Sequence, residues 1–97
     1  MPAPDHALAL PAALTHHEAR ACLQALRQGL RPAGAAAGPV VIDASALQRF
    51  DSSALAVLLE CRRSALAAGR ALAVQGLPPG LASLAQLYGV DGLLPAP

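Results

Sequence analysis

Ninety-seven residues with a formal net charge of +1 leave room for one domain around one modest core. Seven arginines, no lysine, one Tyr and one Phe exclude the basic stripe or aromatic stacking platform that nucleic-acid binding requires. No apolar run reaches the ~20 residues of a membrane helix, and Met1-Pro2-Ala3-Pro4-Asp5-His6 lacks the basic and long apolar regions of a signal peptide; the expected place is the cytoplasm, without direct membrane insertion.

With 55% apolar residues and almost no aromatics, the core must be built from Leu, Val and Ala. Residues 6–10 alternate weakly and read as a first strand that Pro11 ends. Thr15-His16-His17-Glu18 is a T-x-x-E capping box in which Thr15 accepts from the Glu18 backbone and Glu18 reaches back, with Leu14 placed to staple onto Ala19. The helix that follows carries Ala19, Cys22, Leu23, Leu26 and Leu30 on its core face and Arg20, Gln24, Arg27 and Arg31 opposite. Residues 31–39 hold too much Gly and Pro to continue it and read as a loop.

Val40-Val41-Ile42 is the strongest strand, and its unbroken apolar character predicts burial on both faces, as in a helix-covered parallel sheet. A loop over residues 44–50 leads to Asp51, which is placed to cap a second helix over residues 52–68, ended by Gly69. Its buried stripe is expected to be Leu55, Leu58, Leu59 and Leu66, with Glu60, Arg63 and Ala67 outward. Residues 71–74 give another strand and Gly76-Leu77-Pro78-Pro79-Gly80 a turn. Leu81, Leu84, Ala85 and Tyr88 line a third helix, closed by Gly89 and Val90 as a Schellman cap. Cys22 and Cys61 read as buried thiols on helices rather than a disulfide. The prediction is an α/β fold: a small, mostly parallel sheet in β-α-β-α-β-α order, one domain over 1–97 with loose ends at 1–6 and 95–97.

Open α/β sheets present their functional crevice beyond the carboxyl ends of the strands. Here that places Asp51, Ser52 and Ser53 at a helix N-terminus, where free N–H groups favour anions while Asp51 opposes them. Asp and Ser also occur at helix starts purely as caps, so spacing alone gives a surface and no function.

Catalysis finds little support. His16 and His17 are adjacent and diverge by about 100° on a helix, and no H-x-x-x-H, C-x-x-C or G-x-S-x-G pattern occurs. Without lysine there is no Walker A loop. We expect no catalytic residues, no metal and no cofactor. An acyl-chain cavity is not expected beside so small a core.

The stretch from Val40-Val41-Ile42-Asp43 through Phe50-Asp51-Ser52-Ser53-Ala54-Leu55 to Leu58-Leu59 resembles the STAS signature: a strand ending in Asp, a short loop, then Asp-Ser/Thr opening an apolar helix. Gly76-Leu77-Pro78-Pro79 and the ending Leu84-Ala85-Gln86-Leu87-Tyr88-Gly89-Val90-Asp91-Gly92-Leu93-Leu94-Pro95 resemble the MlaB-like branch, the STAS component of Mla-type phospholipid ABC transporters. The resemblance implies a non-enzymatic subunit that binds the transporter's cytoplasmic ATPase, supports its assembly and activity in outer-membrane lipid asymmetry, and lies peripheral to the inner membrane through that partner. It places Asp51, Ser52 and Ser53 at the partner contact and Ser52 on the family's phosphorylated hydroxyl. The alternative it implies is an anti-sigma factor antagonist whose partner is an anti-sigma factor kinase acting on Ser52. One position departs from the pattern: Ala54 stands where a Gly is common.

Overall fold

The computed structural model describes residues 7–30 and 39–97. In chain order it contains β1 (Ala7–Ala9), β2 (Ala13–Leu14), α1 (Ala19–Leu30), β3 (Val40–Asp43), β4 (Arg49–Phe50), α2 (Ser52–Ala67), β5 (Leu72–Gln75), α3 (Pro79–Leu87) and a 3-10 turn, Asp91–Leu93. The main sheet has the order β1-β3-β5 with both pairings parallel, so the strand with the best β-branched run is central. The α/β class and the alternating order are as the sequence predicts.

The second sheet is a departure. Within residues 44–50, read as loop, β4 pairs in parallel with β2, Ala13 opposite Arg49 and Leu14 opposite Phe50. Its residues are too few to show periodicity. The N–H groups of Gln48 and Arg49 both donate to the Ala12 carbonyl, at 2.7 and 2.9 Å. Leu14, read as a staple residue, is completely buried.

Burial on both faces of β3 is not observed. Val40, Ile42 and Ala44 are buried and Val41 only half-buried, so the strand alternates although its sequence does not. The core gathers on the Val40/Ile42 side with Leu14, Leu58 and Leu81, each contributing about 1.5–3 kcal/mol by leaving water. Over this core α1 packs on α2, and α2 also meets β5 and α3.

The α1 face is as predicted, with Arg20, Gln24 and Arg27 exposed and Leu26 buried, whereas Ala19, Cys22 and Leu23 are half-buried; Arg31 lies outside the described residues. On α2 the buried residues are Ala54, Leu55, Val57, Leu58, Cys61 and Ala65. Leu66, assigned to the buried stripe, is 49% exposed. The stripe centres on Ala54, Leu58, Cys61 and Ala65, and Leu66 falls at its margin in the last turn. Cys22 and Cys61 are both free thiols.

Both helix stops follow the predicted chemistry. Gly69 and Gly89 have φ of 75° and 72°, a left-handed conformation open to glycine without a Cβ penalty. The N–H groups of Arg70 and Val90 donate back to Ala65 and Ala85, each at 2.9 Å, the six-to-one bond of a Schellman cap. Tyr88, read as lining α3, is instead its C-cap and 57% exposed. The chain has begun to turn there, and the half-buried Val90 packs back on the core. Beyond the turn, Leu94 is buried and the Pro95 carbonyl accepts from Val74 N–H at 2.8 Å, along the outer edge of β5.

Candidate docking site at the start of the second helix

Asp51 leaves β4 in extended conformation and caps α2, its Oδ1 accepting from Ser53 N–H at 2.8 Å. Oδ2 serves the start of α1: it accepts from His16 N–H at 3.1 Å and lies 3.2 Å from His16 Nδ1. The Ser53 backbone bond and then the His16 contacts hold the carboxyl down at about 2, against an ordinary 3.8. Both oxygens of Asp51 are thus occupied inside the chain.

The same turn presents Ser52 to solvent with no hydrogen bond to its hydroxyl among the described residues. Ser53 is half-buried and lines an open groove of about 270 Å³ between α1 and α2. The three residues singled out in the sequence therefore share one turn but differ in availability. Only Ser52 stands free.

His16 is the residue that sequence reading missed. It reads as a surface imidazole in the first turn of α1, yet it joins the two helix starts across 35 positions, a pairing no local spacing reveals. Its ring also lies against His17, centroids 4.0 Å apart. The capping box forms with a shifted hydrogen-bond pattern. Thr15 N–H donates to Glu18 Oε1 at 2.7 Å, but Glu18 N–H donates to the Thr15 carbonyl, and the Thr15 hydroxyl donates to the Glu18 carboxylate. These Thr15 bonds hold the Glu18 carboxyl below its usual range.

The ends of β3 and β5 are packed together. Asp43 Oδ1 accepts from Ser45 N–H at 2.9 Å, and Ser45 holds the Asp43 carboxyl below its usual range. Gly76, at φ 71°, lies so close that an added Cβ would be 2.8 Å from Ser45 Cβ and 3.0 Å from its backbone nitrogen. Beside this packed turn, Ser45, Ala46 and Gln48 are exposed along with the Ser52 tip of α2. Among the described residues no cluster of three His, Cys, Asp or Glu could hold a metal. Burial pushes the Cys61 thiol up to about 12, which leaves it protonated and unreactive as a nucleophile.

A family model described as "Mlab, STAS domain" matches residues 2–95. The chain belongs to the STAS domain family. Among solved structures this STAS domain is similar to an anti-sigma-factor antagonist (STAS) domain protein from Planctomyces limnophilus, with a TM-score of 0.77 over 93% of this chain and 79% of that one. At 19% identity the likeness bears on the fold. No curated protein sequence matches the chain. Ala54, which departs from the Gly that the resemblance implies, is completely buried, so its methyl lies in the core and not on the outer surface.

Proposed function

We propose that this STAS domain is a non-enzymatic subunit that docks on the cytoplasmic ATPase of an Mla-type phospholipid ABC transporter and supports its assembly and activity in outer-membrane lipid asymmetry. The carrying observation is the free Ser52 on a rigidly capped helix tip, in a chain whose family match bears the Mlab description. STAS domains are generally non-catalytic and commonly mediate protein–protein contacts. Asp51 fixes the tip, Ser52 offers the hydroxyl, and Ser53 borders the adjoining groove.

Among the described residues no helix is long and apolar enough to cross a membrane, in keeping with a domain that reaches the inner membrane through its partner. The alternative is an anti-sigma factor antagonist phosphorylated on Ser52 by a kinase. It uses the same Asp51-Ser52 pair and the same exposed hydroxyl, and the similar STAS fold of an anti-sigma-factor antagonist favours keeping it as the second reading.

The test is co-purification with the transporter ATPase. Ser52→Arg places a long cation on the tip, where an exposed first-turn residue leaves the fold intact. We expect recovery of the ATPase to fall at least about tenfold, since a bulky group disrupts a packed contact centre. Wild-type recovery with Ser52→Arg would overturn the assignment.

A further inference from the structure

The groove that begins at Ser53 has a definite chemistry. Ala19 and Leu23 of α1 and Ala56 and Val57 of α2 form its floor, and Arg20 and Glu60 stand at its sides. His16 meets Asp51 at the start of the two helices and Arg27 meets Glu60 further along both, so the helices run in the same direction. Such a channel accepts the ridge of a third helix. Neither edge strand of the main sheet lines it, so strand addition does not apply.

The charges around it are unbalanced. Glu60 is the one carboxylate in its lining, and both of its oxygens are taken at 3.1 Å, Oε2 by Arg27 and Oε1 by Arg63. Arg27 and Arg63 remain 48% and 78% exposed. Arg20 has no hydrogen-bonding or ionic partner among the described residues. Arg20, Arg27 and Arg63 outnumber Glu60 and, at the Ser53 end, Asp51, and the oxygens of both carboxylates are held within the chain, which leaves a cationic excess beside an apolar floor.

We infer that this groove takes an amphipathic helix of the partner protein, with small or aliphatic residues along its buried ridge and Asp or Glu at its flanks. The inference rests on the docking reading above and adds the chemistry of the partner segment. A helix supplies the ridge the two parallel helices can hold, and its acidic flanks pair with Arg20 and with the outer faces of Arg27 and Arg63. Seated this way it runs on from the Ser52 tip.

The experiment places a diazirine amino acid at Ala56, or separately at Ser52, in the full chain in its native cell, and sequences the cross-linked peptide. The expected product at Ala56 is a helical segment with apolar residues at i, i+3, i+4 and acidic flanks. Against that purified partner, Arg20→Glu and, separately, Arg63→Glu should weaken binding about tenfold at low salt and less at high salt, with unchanged melting. Replacing the partner's acidic residues by Lys should restore it. Cross-linking to a second copy of this chain, to lipid, or to a segment without Asp or Glu overturns the inference, as does salt-independent binding. If the Ser52 probe captures the ATPase while the Ala56 probe captures nothing, the docking reading stands and the groove inference fails. If Ala56 captures an acidic helix of a protein that is not an ATPase, the groove inference stands and the transporter reading fails.

Discussion

At Asp51 a single carboxylate caps one helix and holds the start of another, and that dual use has a pH signature. Its folded value, about 2, lies below the ordinary 3.8, so on acidification the unfolded chain takes up the proton first. The contribution to stability is complete above about pH 4 and disappears as pH falls toward about 2. Asp51→Asn keeps an oxygen for Ser53 N–H but removes the charge. The gap in melting temperature between wild type and Asp51→Asn should therefore narrow from about pH 5 to about pH 2. A constant gap across that range would show that the carboxylate is not held ionised by the fold. The cap itself was legible, since Asp before an apolar helical run has a local cause. His16 was not, because its partner is fixed by the path of β2 and β4 rather than by neighbours in sequence.

Helix α2 shows how periodicity gives a face but not its centre. Leucines drew the expected stripe toward Leu59 and Leu66, while the packed line runs through Ala54, Leu58, Cys61 and Ala65. Small residues carry little weight in a hydrophobic pattern, yet they are the ones that let helix and sheet approach closely. Leu58 is buried in both readings and serves as the reference, while Leu66 separates them. Leu58→Asp buries a charge without a partner and should abolish cooperative melting, and Leu58→Ala should cost about 2–5 kcal/mol. Leu66→Asp, on the exposed margin, should stay within about 0.5 kcal/mol of wild type. A large loss at Leu66 in thermal or denaturant unfolding would put the stripe back where the leucines suggested. The Arg20 and Arg27 face of α1 was readable for a similar reason: charge marks the outside more reliably than size marks the inside.

Across the whole molecule, the class, the succession of main-sheet strands and helices and the two glycine stops follow from sequence, because alternating short runs, caps and breakers act locally. The pairing of β2 with β4 and the one-sided burial of β3 did not follow, since both depend on which segments the chain brings together. The end of the chain belongs to this second group. Its attachment at Pro95 occupies Val74 N–H, which points away from β3. A bare outer strand can template pairing between molecules. Removing residues 95–97 should therefore convert a monodisperse preparation into one that self-associates with rising concentration, visible by light scattering at unchanged helix content; a truncated form that stays monomeric would show that the edge is protected by other means. The Pro95 carbonyl would then act as a guard against polymerisation.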